Sequence, residues 1–223
     1  MIRKAKLMAL DPGPQDRLEQ EVLEYFRKCE EKLGFVPNVF RAYAFSNAKL
    51  KAFIDMADDL MLGDSGLTKT EREMVAVAVS AINHCHYCLT SHGAALRQRS
   101  EDPEFGEIIA QNYRAAELDA RQRAMLDFAA KVTEEPDKVI EADRQALRKV
   151  GFTDRDIWDI AAVASFYNMS NRMAAAADIR PNAEYHYWAR ERTDARAGKP
   201  AEGKAQDGAP RSGSLKRRSR RGD

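Results

Sequence analysis

Leu18, Val22, Tyr25, Phe26 and Leu33 recur at helical spacing and define one apolar face before Gly34 ends the run. The stretch Gly34-Phe35-Val36-Pro37-Asn38 reads as a turn, because Pro37 has no N–H to donate and its ring clashes inside a helix. Leu50, Phe53, Ile54, Ala57, Leu60 and Met61 mark a second amphipathic helix, ended by Gly63. Thr68 with Glu71 three residues later has the arrangement of a capping box, and it opens the nearly all-apolar run Met74 to Ile82. That run reads as a buried helix: it starts from a helix cap, is long for a strand, and has no partner strand elsewhere. No other stretch alternates with the period of a strand, so the expected fold is all-α.

Offsetting the sequence by 85 positions reveals a weak internal repeat. Leu67-Thr68 falls on Phe152-Thr153, Val79-Ser80 on Ala164-Ser165, and Asn83 on Asn168. Each copy reads as a capped helix, an Ala/Val-rich stretch, an Asn and then another helix. In the second copy Ser170, Met173 and Ala177 replace Cys85, Cys88 and His92, so the architecture is kept without the chemistry. The expected organisation is an N-terminal segment (1–14), a helical domain of two pseudo-repeated halves (15–190) and a tail (191–223). The active copy spans about 67–97 and the degenerate copy about 152–180.

Composition changes this picture at the tail. The stretch from Arg190 to Asp223 holds 11 basic and 5 acidic residues, a net of +6, which leaves −5 on the rest of a chain whose formal total is +1. The tail has almost nothing apolar to bury and is expected to be disordered. Its final cluster, Lys216-Arg217-Arg218-Ser219-Arg220-Arg221, has no aromatic residue among the basic ones to stack on a base, which argues against nucleic-acid binding. With 44% hydrophobic and 32% charged residues the chain has globular composition, and it lacks a membrane-spanning apolar run. Met1 to Leu10 lacks the apolar core and cleavage site of a secretory signal. Three cysteines do not make a closed disulfide framework, so a cytoplasmic, reducing location is expected. Cys29 reads as a packing or surface residue.

The chemically dense segment is Asn83-His84-Cys85-His86-Tyr87-Cys88-Leu89-Thr90-Ser91-His92-Gly93. Asn83 interrupts the preceding helix, which puts Cys85 and Cys88 in the first turn of the next, where free N–H groups and the helix dipole favour thiolates. At about 100° per residue, Cys85 lies roughly 20° and Cys88 roughly 40° from His92 around the axis, so the three share one stripe, while His86 lies roughly 160° from Cys88. Glu73 is a carboxylate in an apolar helix. It either folds back over this stripe to orient His92 or a water, or faces solvent as Glu71 is expected to do.

Three chemistries suit this set: thiol redox catalysis, a zinc site of Cys85, Cys88, His92 and Glu73, or plain packing of small thiols. A structural zinc site usually adds a second, distant Cys/His pair, and none occurs here. A Cys-x-x-Cys with a His four residues on is a poor choice for packing alone. A thioredoxin-like motif belongs beside a βαβ pattern, which this chain lacks. Redox chemistry on a helical scaffold fits best.

Glu73 followed by Cys85-x-x-Cys88-x-x-x-His92 in an Ala/Val-rich helical pair resembles the alkylhydroperoxidase D-like and carboxymuconolactone decarboxylase family, in its peroxidase-related branch. The likeness is most specific from Thr68 to Leu96, extends to Gly34–Asn38 and Tyr167–Arg172, and covers roughly residues 15–190. It implies an alkylhydroperoxidase D-like helical bundle that assembles as a homo-oligomer. It also implies a cofactor-free peroxidase acting on organic hydroperoxides or hydrogen peroxide and reduced by an external dithiol or redox partner protein. Under that resemblance Cys88 attacks the peroxide, Cys85 protonates the leaving group and closes a Cys85–Cys88 disulfide, and Glu73 and His92 relay protons. The family's alkylhydroperoxidases carry a relay His immediately before the second cysteine. Tyr87 stands there instead, and a phenol with a pKa near 10 does not shuttle protons at neutral pH. The family's lactone decarboxylation, the alternative activity, does not need the cysteine pair.

Overall fold

A computed structural model describes residues 6–190. The tail expected to be disordered (191–223) lies outside the described residues. Among those described, every regular element is helical. They are α1 (Gln20–Leu33), α2 (Asn38–Tyr43), α3 (Asn47–Leu62), α4 (Lys69–Ile82), α5 (His86–Ser100), α6 (Pro103–Asn112), α7 (Ala120–Glu134), α8 (Glu141–Lys149) and α9 (Asp154–Ala176). Gly34 ends α1 at φ 82°, a left-handed conformation that glycine adopts without strain. Helix α2 was not legible in the sequence. Pro37 serves as its N-cap, and the turn runs directly into a six-residue helix.

Helix α4 is the centre of the molecule. Every residue from Glu71 to Ser80 is buried, and α5, α6, α7 and α9 pack around it. Its capping box forms as expected, but Glu71 does not face solvent. One carboxylate oxygen accepts the Thr68 N–H at 2.7 Å and the other the Arg121 Nε at 3.0 Å. Val75, Val77 and Val79 pack on several sides at once, each burial contributing about 1.5–3 kcal/mol.

Arg72, also on α4, is buried without a carboxylate. Its guanidinium donates to the carbonyls of Leu60 (3.4 Å), Gly63 (2.8 Å) and Leu67 (3.1 and 3.2 Å), tying the end of α3 to the start of α4. Replacing Arg72 with leucine strands these carbonyls, and urea denaturation should read a loss of roughly 2–4 kcal/mol. A loss below about 0.5 kcal/mol would mean that water replaces the guanidinium without cost.

The two copies of the repeat differ where the chemistry lies. In the first, Asn83 ends α4, His84 turns back at φ 53°, and the Cys85 N–H returns to the Ser80 carbonyl at 3.0 Å before α5 begins. In the second, Thr153 and Asp156 form the matching capping box, but α9 runs unbroken for 23 residues through Asn168. The expected second break is absent because Asn168 turns its amide onto Thr133 and the carbonyl of Ala164 one turn earlier, each at 3.0 Å, and stays helical. The N-terminal segment folds onto this end of α9. Arg180 N donates to the Leu7 carbonyl and Ala9 N to the Ala177 carbonyl, at 2.9 and 2.8 Å.

Candidate active site

Cys85 is the N-cap of α5, and Cys88 sits in its first turn. Both are free and only 2% exposed, in an apolar cluster with Tyr87, Ala42, Ala174, Ala177 and Ile179, onto which Leu7 and Met8 pack. The two thiols share protons rather than ionising alike. The Cys88 thiol donates to the Cys85 sulfur, and the Cys88 and Tyr87 backbone N–H groups add to this against the cost of burial, bringing Cys85 down to about 6. Cys85 makes no side-chain capping bond of the Ser or Asp kind. Cys88 moves the opposite way, raised well above its ordinary value because it is the donor to Cys85 and is buried. The expectation that the helix start lowers both cysteines holds for Cys85 alone, since the hydrogen bond between them and burial raise Cys88.

Glu73 takes the first of its two readings. It is buried on α4 and accepts from the Nδ1–H of His92 at 2.8 Å, with Arg99 3.6 Å from its other oxygen. With Nδ1 engaged by Glu73, Nε2 is the ring nitrogen left to exchange a proton. The His92 side chain is 25% exposed, so the pair joins a buried carboxylate to solvent. Tyr167 of α9 packs edge-on against the His92 ring at 4.6 Å, its hydroxyl 3.4 Å from Nδ1. Burial holds Tyr167 neutral, and the phenol also feels the charge of Glu73 and of Cys88.

The four residues singled out from the sequence therefore stand as two pairs, Glu73–His92 and Cys85–Cys88, with Tyr167 beside both. The hydrogen bonds of His92 run to Glu73 and Tyr167 rather than to a thiol. Among the described residues no three His, Cys, Asp or Glu side chains converge to hold a metal ion, so the four-ligand zinc set is not assembled in this geometry. His86 is exposed and faces His186, with ring centroids 6.4 Å apart, away from the sulfurs. Tyr87 is buried, and its hydroxyl accepts the Val39 N–H of α2 at 2.9 Å. It anchors α2, and burial raises its hydroxyl well above the ordinary phenol value.

Sequence reasoning missed what α9 contributes. Besides Tyr167, the side chains of Ser170 and Asn171 reach the sulfurs. The repeat offset already put Ser170 at the position of Cys85, but the loss of both cysteines from this copy read as a loss of chemistry.

Residues 48–116 match the model of the carboxymuconolactone decarboxylase family. They include α4, the break and α5, and so all four residues. The fold matches the crystal structure of an uncharacterized peroxidase-related protein from Silicibacter sp. TM1040, with 57% identity over 85% of this chain and 100% of that one and a TM-score of 0.81. It matches equally an alkylhydroperoxidase AhpD core, an uncharacterized peroxidase-related protein from Ralstonia eutropha JMP134. There the identity is 43%, the coverage 85% and 100%, and the TM-score 0.80. The alkyl hydroperoxide reductase AhpD of Mycobacteroides abscessus is 43% identical over 56 residues, 22% of this chain and 32% of that protein. The match thus spans about a third of that relative's length.

Proposed function

Because this chain belongs to the carboxymuconolactone decarboxylase and alkylhydroperoxidase D-like family, in its peroxidase-related branch, we propose that it is a thiol peroxidase. In this reading it reduces organic hydroperoxides or hydrogen peroxide through Cys88 and Cys85, without a bound cofactor. The observation that carries the reading is two buried cysteines packed together at a helix start, beside a buried carboxylate–imidazole pair that reaches solvent.

Cys88 passes its proton to the Cys85 thiolate as its own sulfur attacks the terminal peroxide oxygen. The O–O bond breaks, Cys88 becomes a sulfenic acid, and the departing alkoxide takes the proton from Cys85 and leaves as the alcohol. The Cys85 thiolate then attacks the Cys88 sulfur. The S–S bond forms, and hydroxide leaves as water with a proton delivered by the Glu73–His92 pair. The peroxide gains two electrons and the two sulfurs lose them. An external dithiol, or a redox partner protein, returns them to the disulfide. The tight burial of both sulfurs suits this cycle, since it favours resolution by the neighbouring thiol over further oxidation. A homo-oligomeric, cytoplasmic protein belongs to the same proposal. The exposed Trp158, Met169 and Met173 of α9 support the assembly, and no helix among the described residues is long and apolar enough to cross a membrane.

Intact mass tests the chemistry. One equivalent of organic hydroperoxide should lower the reduced protein by about 2 Da, and should raise Cys85→Ser by about 16 Da as a trapped sulfenic acid. The conversion should slow as pH falls through about 6, where Cys85 takes up a proton and ceases to be the base. Unchanged masses in both proteins would overturn the proposal.

A further inference from the structure

We propose that Asn171, from the copy of the repeat that lost its cysteines, is a thiolate-binding residue of the reacting pair, its side-chain N–H donating to the sulfurs of Cys85 and Cys88. The assignment deepens the reading given under Proposed function and rests on these two cysteines being the reacting pair.

The orientation of this amide is fixed by a chain of bonds that starts from a group able only to donate. Arg172 Nη1 lies 2.8 Å from Oδ1 of Asn168, so that atom must be oxygen. Its amide nitrogen then faces the Ala164 carbonyl and Thr133 Oγ1, as it must. The same Asn168 oxygen accepts from Asn83 Nδ2 at 2.9 Å, which fixes Asn83 in turn. Asn83 spends its second hydrogen on Oδ1 of Asn171, also at 2.9 Å. Asn171 therefore has its oxygen turned to Asn83 and its two hydrogens turned the other way. One goes to Ser80 Oγ at 3.0 Å. The other is left for the sulfurs: Ala174, one turn further along the same face of α9, packs in one cluster with Cys85 and Cys88, and Asn171 favours the charged form of both cysteines while Ser170 favours that of Cys88.

Asn171 is 1% exposed, so this donor is shielded from bulk solvent. An amide N–H held toward a buried sulfur lowers the free energy of the thiolate more than that of the thiol. The break at Asn83 places Cys85 and Cys88 at the start of α5, while unbroken α9 carries Ser170 and Asn171 side by side. Both halves of the repeat then contribute to one centre, one supplying the sulfurs and the other their donors.

The test reads the thiols directly, without peroxide, so a protein that reduces no peroxide still answers it. Thiolate absorbance near 240 nm is followed against pH in the full chain and in Asn171→Leu and Ser80→Ala. The other titratable groups facing the pair are Tyr43, Tyr87 and Tyr167, all raised by burial and silent below pH 9, and Cys29 titrates near 11. The inflexion near 6 should move up by about one pH unit in Asn171→Leu, a tenfold loss of thiolate at a given pH, and should stay in place in Ser80→Ala. Equal inflexions in all three proteins, with lowered stability in both variants, would show that Asn171 merely joins α4 to α9 and would overturn the assignment. The unaltered protein gives a second reading if Asn171→Leu does not fold. With asparagine labelled with nitrogen-15, one side-chain proton of Asn171 should shift downfield with the same inflexion as the thiolate, and its indifference to that titration would equally sink the proposal.

Discussion

Replacing Cys88 with serine should lower peroxide reduction by at least about a thousandfold while leaving the helical fold in place, because the change removes the attacking sulfur and little volume. Cys85→Ser should lose turnover to a similar degree by a different route: it still attacks once, then stalls for want of a resolving thiol. Cys29→Ser should keep full activity, since Cys29 is buried on α1 and desolvation raises its pKa to about 11, which keeps it a thiol at neutral pH. Stopped-flow consumption of a hydroperoxide separates the three. Should Cys88→Ser instead gain about 16 Da and Cys85→Ser remain unmodified, the roles of the two sulfurs are exchanged, with the Cys85 thiolate attacking directly.

Glu73→Gln is the second change of large expected effect. The amide keeps the shape of the carboxylate and still accepts from His92 Nδ1, so stability should fall by about 1 kcal/mol or less. The negative charge that supports a protonated imidazole is gone, however. Proton delivery to the departing hydroxide should suffer, and turnover should drop about 10²–10⁴-fold, the usual range for loss of general acid–base assistance. In the mass experiment this variant should accumulate the sulfenic acid before the disulfide. Turnover within a few-fold of the parent would remove Glu73 and His92 from the relay.

What the sequence made legible was whatever depends on neighbours in the chain. The helical period and caps such as Thr68–Glu71 are local, and so the all-α fold and the helical nature of α4 could be read directly. The stripe of Cys85, Cys88 and His92 is likewise a property of one helix. The pairing of Glu73 with His92 was half legible: a buried carboxylate needs a partner, but only the α4–α5 hairpin decides which. The opposite behaviour of the two thiols depends on a hydrogen bond between them, which spacing does not reveal. The contribution of α9 was hidden for a related reason. Ser170 and Asn171 are common polar residues on a helix, and what they do follows from packing 85 or so positions away from the cysteines. Glu71 misled because a first-turn glutamate usually faces water, whereas here Arg121 covers it.

The central place of α4 also shapes how the chain comes to be folded during synthesis. Its ten consecutive buried residues find their last neighbours only in α7 and α9. At about 5–20 residues per second, a ribosome needs on the order of ten seconds to carry the chain from the end of α4 to the end of α9. Through that interval the most apolar helix of the protein has only part of its cover, and its valines are open to chaperones or to other nascent chains. The same arrangement that lets one repeat complete the other in the finished molecule makes the early half of the chain dependent on the late half while it is being made.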